Sequence, residues 1–434
     1  MPHNLSTALP DFEAGFCRLL DAQRDSEQDV RDTVTAILAD VRRRGDAAVI
    51  DYTHRFDRLE LTAAGLRIAV AEIDAAVAAC PADQIAALAN AGRRIEAFHR
   101  RQTPETLSFT DAEGVLLGAR WTPIDAVGLY VPGGTAAYPS SVLMNALPAK
   151  VAGVARIAMV VPTPDGKLNP LVLAAARLAG VTEVYRVGGA QAVAALAFGT
   201  QTIAAVDKIV GPGNAWVAEA KRQVFGTVGI DTIAGPSEIV VVADGLNDPD
   251  WIAADLLSQA EHDTAAQAIL ITDDAAFARR VVAAIEAQLM NLPRAAIAGD
   301  SWEKHGAVIV VGDLTAEAPA LVNRLAPEHL ELAVVEPLAL AARIRHAGAI
   351  FLGRHTPEAI GDYVAGPNHV LPTARSARFS SGLNVLDFMK RTTLVGCDAR
   401  ALGRIGPDTV TLARAEGLEA HARSVAIRLE IRIP

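Results

Sequence analysis

A short polar segment at 258–263 offers metal-binding side chains inside a stretch that otherwise has the apolar pattern of a helix. Gln259 and His262 are three residues apart, so on a helix they would share one face and could bind one ion. Alone, a glutamine and a histidine at this spacing more often belong to an ordinary polar helix face. The polar side chains around them favour a chemical role here: Asp255, Ser258, Glu261 and Asp263.

Further along the chain, Glu328 and His329 follow Pro327 and precede a strand-like run at 330–335. A carboxylate beside an imidazole can supply two different bases, one for a water and one for an alcohol. Polar groups at the mouth of a strand are common functional groups in α/β folds. The alternative interpretation is a solvated turn.

The loop at 361–369 contains Asp362 and His369, and His421 lies near the C-terminus. Aspartate and histidine are zinc ligands, and His369 could instead donate to a carboxylate. Aspartate, glycine and proline also occur in turns for backbone reasons alone. Together with Gln259 and His262, these residues predict a metal-dependent enzyme with an acid/base pair left free for chemistry.

Three glycine turns, at 128–134, 188–191 and 211–214, could let a dinucleotide approach the backbone. Helix N-termini after strands favour anions. None of the turns has the G-x-G-x-x-G spacing, so the sequence pattern gives only a weak dinucleotide signal.

Composition favours a large α/β protein. Hydrophobic residues make up 51% of the 434 residues, charged residues 21% and aromatic residues 5%. Roughly three domains are expected from the length. A net charge of −10 argues against nucleic acid as the main partner. The three separated cysteines, without a secretory signal or an apolar run of about 18 residues, indicate a cytoplasmic protein that does not span a membrane.

Helical spacing dominates residues 26–102, with a possible capping box at Ser26 and Asp29. Gly45 is expected to end the first helix and Pro81 to interrupt a later one. From 127 onward, short apolar runs alternate with helical segments, which predicts parallel strands. The expected strands are 156–161, 183–187, 207–210, 239–242, 268–271, 307–311 and 349–352.

The predicted fold is therefore α/β, with two tandem doubly wound (incomplete Rossmann-like) domains and smaller helical N- and C-terminal segments. A hinge is expected near 234–237, and Pro407 is expected to begin a helix in a strand-free tail. The expected units are an N-terminal arm at 1–25, a larger domain at 26–128 plus 239–380, a second domain at 129–238 and a helical C-terminal segment at 381–434.

These segments together resemble the histidinol dehydrogenase family over nearly the whole chain. The motifs that carry the resemblance are the Tyr130 loop, 211–214, 235–238, 258–263, 326–330, Gly361 with Asp362, Glu416 and His421. The resemblance implies a homodimeric, zinc-dependent enzyme that oxidises L-histidinol to L-histidine through the aldehyde with two NAD.

The same resemblance implies roles for individual residues. Zinc would be bound by Gln259, His262, Asp362 and His421, and His421 would come from the partner subunit through the C-terminal segment. His329 would take the hydroxyl proton, and Glu328 would activate the water that oxidises the aldehyde. Besides the zinc ligands and His329, the substrate contacts would be Ser237, His369 and Glu416. The NAD contacts, in the domain at 129–238, would be Tyr130, Gln191 and Asn214.

Three other hypotheses stay open from the sequence. A relative with the same fold and metal could oxidise another amino alcohol or a diol. A zinc hydrolase would also pair zinc with a nearby glutamate, although H-E-x-x-H is absent from the sequence. A zinc-binding protein without catalysis would tolerate the loss of Glu328 and His329.

Overall fold

Two parallel β-sheets, each flanked by helices, organise the chain. The structure is a computed structural model that describes residues 2–21, 30–133, 138–233 and 235–430. The predicted capping box at Ser26 and Asp29, residue 134 of the first glycine turn and residue 234 of the predicted hinge lie outside the described residues.

The first sheet has five strands in the order β6-β5-β4-β7-β8, and neighbouring strands are parallel. Its strands are β4 (Ala126–Tyr130), β5 (Arg156–Val160), β6 (Glu183–Tyr185), β7 (Lys208–Val210) and β8 (Gly229–Ile230). Its connecting helices are α7 (Pro139–Ala152), α8 (Pro170–Ala179), α9 (Gly189–Phe198) and α10 (Ala215–Val224). The strand order reverses between β4 and β7, which makes a crevice at their carboxyl ends.

The second sheet has six parallel strands in the order β1-β11-β10-β9-β12-β13. They are β1 (His3–Ser6), β9 (Glu238–Ala243), β10 (Gln267–Thr272), β11 (Ala307–Val310), β12 (His329–Ala333) and β13 (Ala349–Leu352). The helices of this part are α1 (Phe12–Asp21), α11 (Pro249–Ala260), α12 (Ala275–Leu289), α13 (Ala295–His305), α14 (Leu314–Leu325), α15 (Pro337–Ala341) and α16 (Ala359–Tyr363). The predicted α/β fold with parallel sheets is confirmed. β9, β10 and β12 are buried along their whole length, because helices cover both faces of the sheet.

The helices at 31–100 pack mainly on the five-stranded sheet. They are α2 (Arg31–Arg44), α3 (Asp46–Asp57), α4 (Ala63–Leu66), α5 (Val70–Ala79) and α6 (Ala82–Arg100), so the predicted breaks at Gly45 and Pro81 are confirmed. The apolar face of α2, which includes Val34 and Val41, shares a core with α9 and α10, and α6 packs on α7. This packing differs from the predicted grouping of 26–128 with 239–380. The domain limits themselves stay a prediction.

A small antiparallel sheet was not expected from the sequence. It joins β2 (Leu107–Thr110), β3 (Leu116–Pro123) and β14 (Met389–Gly396) in the order β14-β3-β2. The prediction of a strand-free tail is therefore wrong, because 389–396 pairs along its length with β3. Two neighbouring threonines and a valine in this segment are β-branched residues that fit a strand.

The tail ends in a helical hairpin, α17 (Ala399–Ala415) and α18 (Glu419–Ala426). The predicted helix start at Pro407 is wrong, since Pro407 lies inside α17. The helix begins after Asp398, whose side chain accepts a hydrogen bond from Ala401 N at 2.7 Å. Among the described residues, no helix is both long enough and apolar enough to cross a membrane.

Candidate active site

The predicted acid/base pair lies at the amino-terminal edge of the six-stranded sheet. His329 is the first residue of β12, Glu328 precedes it, and Ser237 precedes the neighbouring strand β9. Ligands of doubly wound sheets usually bind at the carboxyl ends of the strands. The site of this chain is at the opposite end, where α11 finishes and the following turn reaches the start of β10.

Glu328 and His329 are both held by one residue of the adjacent strand. Glu328 Oε2 accepts a hydrogen bond from Glu238 N at 2.9 Å. His329 Nδ1 lies 3.0 Å from the backbone oxygen of Glu238. A carbonyl can only accept, so Nδ1 carries the proton and Nε2 presents a lone pair. The two side chains are therefore fixed in register by the backbone of β9.

Burial shifts the pKa values of Glu328 and His329 towards their neutral forms. Loss of solvent raises the pKa of Glu328 well above its ordinary value, and the nearby carboxylates of Glu238, Asp362 and Glu358 raise it further, against the hydrogen bond from Glu238 N. Loss of solvent also lowers the pKa of His329 to about 4, although Asp362 opposes the shift. A neutral histidine with a free Nε2 is suited to accept a proton.

Glu358 is a site residue that the sequence interpretation missed. Its Oε1 lies 3.5 Å from His329 Nε2, and its Oε2 accepts from Ser258 Oγ at 3.4 Å. Ligand atoms of His329, Glu358 and Asp362 all lie within 4.8 Å of one another. The available signal was the spacing of Glu358 and Asp362, four residues apart, which puts both carboxyls on one face of a helix.

The predicted secondary structure at His262 and at Asp362 needs correction. His262 is not on the helix with Gln259, because α11 ends at Ala260 and His262 N donates to Gln259 O at 3.2 Å in the turn that follows. Asp362 is not in a loop but within the short helix α16. The turn still brings the two predicted ligands near each other, since the hydrogen bond joins their backbones.

His369 connects α16 with the five-stranded sheet. Its Nδ1 lies 3.1 Å from Asp362 O and its Nε2 lies 3.2 Å from Ser141 Oγ, on α7. Nδ1 must donate to the carbonyl, so Nε2 accepts from the serine hydroxyl. Burial lowers the pKa of His369, which favours this neutral form. Both ring nitrogens therefore have partners within the chain.

The residues present fit a zinc ion. Gln259 is 1% exposed, and its Oε1 has no hydrogen-bond partner among the described residues. His262 lies in the turn that follows α11, where its N donates to Gln259 O at 3.2 Å. An amide oxygen without a partner, an imidazole and the Asp362 carboxylate offer the oxygen and nitrogen ligands that zinc accepts in proteins.

His421 and Glu416 are not brought to this group within one chain. His421 lies on α18, Glu416 follows the end of α17, and both are exposed. Among the described residues, the hydrogen bonds of 398–430 stay within that segment, apart from Arg404 to Ala112 O.

The residues predicted for NAD gather at the carboxyl edge of the five-stranded sheet. Tyr130 ends β4, and its hydroxyl accepts from Gly189 N, at the start of α9, at 3.1 Å. Burial raises the pKa of Tyr130 to about 12, so the phenol stays protonated. Gln191 is buried on α9 with Oε1 unpartnered among the described residues, and Asn214 caps α10. The crevice between β4 and β7 lies at this edge.

The α/β fold, with a buried carboxyl and imidazole side by side at the edge of a parallel sheet, is that of an enzyme. A sequence model of the histidinol dehydrogenase family matches residues 20–429. The chain is 70% identical over 429 residues to the histidinol dehydrogenase of Rhodospirillum rubrum, covering 99% of each chain. It is 65% identical over 426 residues to that of Gluconobacter oxydans, covering 98% of this chain and 99% of the relative.

A solved structure supports the same conclusion. The crystal structure of histidinol dehydrogenase from Elizabethkingia anophelis superposes with a TM-score of 0.94 at 36% identity, covering 99% of this chain and 98% of that one. The chain belongs to the histidinol dehydrogenase family. It is therefore an oxidoreductase of the final steps of histidine biosynthesis, and the predicted family is confirmed.

Proposed function

We propose that this chain oxidises L-histidinol to L-histidine through L-histidinal, with zinc bound and two NAD consumed. The observation that carries the proposal is the neutral His329 with a free Nε2, next to a buried Glu328. Four-electron oxidation of an alcohol needs a base for the hydroxyl and a second base for a water, and these two side chains supply both.

In the alcohol step, His329 Nε2 accepts the hydroxyl proton while Nδ1 stays bonded to Glu238 O. The carboxylate of Asp362 favours the imidazolium that forms, because its charge opposes the effect of burial on the pKa of His329. NAD accepts the hydride in each of the two oxidations.

In the aldehyde step, Glu328 takes a proton from the water that adds to the carbonyl. A carboxylate with a raised pKa is a stronger base once ionised, and the hydrogen bond from Glu238 N keeps one oxygen oriented. The resulting hydrate has a new hydroxyl, and His329 accepts its proton in the second oxidation after releasing the first proton to solvent.

Gln259, His262 and Asp362 would hold the zinc, with the partner subunit's His421 completing the set. When bound, zinc would orient the substrate for the two oxidations. Ser237, His369 and Glu416 are proposed as further substrate contacts. Because His369 already uses both ring nitrogens within the chain, a direct hydrogen bond to substrate would replace the bond from Ser141.

A homodimer is proposed because the three-stranded sheet and the C-terminal hairpin expose apolar side chains. Val395 is 67% exposed and Leu412 is 64% exposed, and Leu107, Phe109 and Ile427 are exposed as well. Apolar surface of this kind is typical of protein interfaces. In the proposed dimer, this surface is covered by the partner subunit.

NAD is proposed to bind at the carboxyl edge of the five-stranded sheet, within the second domain at 129–238. The four connecting helices α7 to α10 each follow the carboxyl end of a strand, and helix N-termini favour the anionic groups of a dinucleotide. The proposed location is the cytoplasm, where the free cysteines Cys17, Cys80 and Cys397 would stay reduced.

The test is turnover of purified protein with histidinol, following NADH and histidine together with metal content. The proposal expects two NADH for each histidine and loss of turnover when a chelator removes zinc. NADH formation with other amino alcohols but not with histidinol would contradict it. Hydrolysis without NAD would favour the zinc hydrolase, and zinc binding without any turnover would favour a non-catalytic protein.

A further inference from the structure

The turn that follows β7 presses a glycine against the backbone of β4. Gly211 has a φ of +114°, and a Cβ atom at this position would overlap the carbonyl oxygen of Tyr130. No side chain fits at position 211, so this residue can be held only through its own peptide groups. The turn lies in the crevice where the strand order of the sheet reverses.

Two opposite charges fix these peptide groups. Asp231 Oδ2 accepts a hydrogen bond from Gly211 N at 2.7 Å, and Lys221 Nζ donates to Gly211 O at 3.0 Å. Lys221 and Asp231 also form an ion pair with each other, and each side chain is 3% exposed. One residue comes from α10 and the other follows β8, so the pair ties the turn to two elements at once.

A buried ion pair is an inefficient way to stabilise a fold. Its desolvation cost is offset only by good geometry and further hydrogen bonds, and apolar residues of similar volume are often equally stabilising or more so. Besides the ion pair, Lys221 and Asp231 each form a hydrogen bond to the backbone of the same residue, Gly211. This points to a requirement on the shape of the turn and not on stability alone.

We propose that Lys221 and Asp231 are positioning residues for the dinucleotide. They hold Gly211 so that Asn214 and the N-terminus of α10 are in place before NAD arrives. A turn that must be ordered on binding costs affinity, and one that is already ordered does not. This inference rests on the proposed use of NAD.

The test compares NADH binding with stability in a double variant. Lys221→Met/Asp231→Leu removes both charges, and each single variant leaves one buried charge unpaired. We expect each single variant to have a lower melting temperature than the wild type and the double variant to recover the wild-type value. The dissociation constant of the double variant for NADH should nevertheless be about tenfold or more above that of the wild type. Calorimetric titration with NADH and a melting curve give the two readouts. In turnover, KM for NAD rises while kcat and KM for histidinol stay near wild type.

The matched control is the ion pair of Arg156 and Glu183, at the amino edge of the same sheet. Arg156→Met/Glu183→Leu should leave NADH affinity unchanged. A Lys221/Asp231 double variant that recovers both melting temperature and NADH affinity would overturn the inference. Wild-type protein that fails to bind NADH would instead overturn the proposed function.

If the double variant does not fold, Asp231→Asn decides the question. Asparagine keeps an acceptor for Gly211 N but loses the charge that holds Lys221 in place. The inference expects NADH affinity to fall about threefold or more in this variant. Unchanged affinity in folded Asp231→Asn protein would overturn it.

Discussion

The backbone oxygen of Glu238 lies 3.0 Å from Nδ1 of His329, and this bond determines which nitrogen of the imidazole can act as a base. Nδ1 is committed as a donor, so Nε2 is the acceptor. The same residue, Glu238, donates its N–H to Glu328. The two peptide groups that flank the α-carbon of Glu238 therefore orient Glu328 and His329, the proposed acid/base pair. The start of β9 fixes the positions of both side chains.

Replacing the two bases should affect different steps. His329→Asn removes the acceptor for the hydroxyl proton, so oxidation of histidinol and of the hydrated aldehyde should both slow by about 10²–10⁴-fold. Glu328→Gln keeps an acceptor for Glu238 N but cannot take a proton from water, so oxidation of added histidinal should slow more than oxidation of histidinol. Single-turnover measurements from each substrate check this difference. Equal losses from both substrates in Glu328→Gln would contradict the assigned roles.

Glu358 and Asp362 should differ in what they do for the metal. Asp362→Asn is expected to lose zinc after dialysis against a weak chelator. Glu358→Gln is expected to retain zinc and lose about 10–100-fold in kcat, because the side chain faces His329 Nε2 and accepts from Ser258. Metal analysis of both variants, beside kcat and KM for histidinol, gives the comparison. Zinc loss from Glu358→Gln would show that the cluster of His329, Glu358 and Asp362 is the metal site instead.

Local patterns predicted much of this fold. Buried strands such as β9 and β10 are continuous apolar runs, and Gly45 and Pro81 end helices through their own backbone geometry, so both signals are readable in sequence. β14 was missed because its side chains are mostly exposed, which leaves no run of apolar residues to detect. Pro407 misled because the start of α17 is determined by the cap at Asp398.

The site was harder to predict from local patterns than the fold. Gln259, Glu328 and Asp362 were selected by residue type and family resemblance. The amino-edge location of the site depends on how β9 and β12 pair, and that pairing joins residues 90 positions apart, such as His329 and Ile239. Glu358 was recognised only from the structure, where the start of α16 lies beside His329 at the start of β12. Neither relationship is encoded in the spacing of neighbouring residues.

Stability should depend on pH through Glu331, which lies on β12 and is buried near the carboxyl of Asp255 on α11. Burial raises the pKa of Glu331 to about 9 and that of Asp255 to about 6. The folded state thus holds protons that the unfolded state releases above about pH 4.3, and stability falls as pH rises from there towards the folded pKa. Glu331→Gln cannot ionise and should flatten this decline.

We expect Glu331→Gln to raise the melting temperature of metal-free protein by about 2–5 °C at about pH 8, and by less at about pH 5. Melting curves across this range check the slope. The exposed Glu336→Gln, five residues further along, serves as the control and should change little at either pH. A melting temperature that falls in Glu331→Gln at the higher pH would show that the ionised carboxylate is needed for the fold.

A site shared between subunits should be recoverable by mixing two inactive variants. His421→Ala lacks the ligand proposed to come from the partner, and Gln259→Ala lacks one from the subunit itself, so each homodimer should be inactive. In a hybrid dimer, one site combines the intact Gln259 of one chain with the intact His421 of the other. Random pairing makes half of the dimers hybrid, so co-expression should restore about a quarter of wild-type activity.

The control is co-expression of Gln259→Ala with His262→Ala. Both ligands come from the same subunit, so each site of this hybrid lacks one ligand and the hybrid should be inactive. Confirmed hybrid dimers of His421→Ala and Gln259→Ala without activity would place His421 outside the shared site.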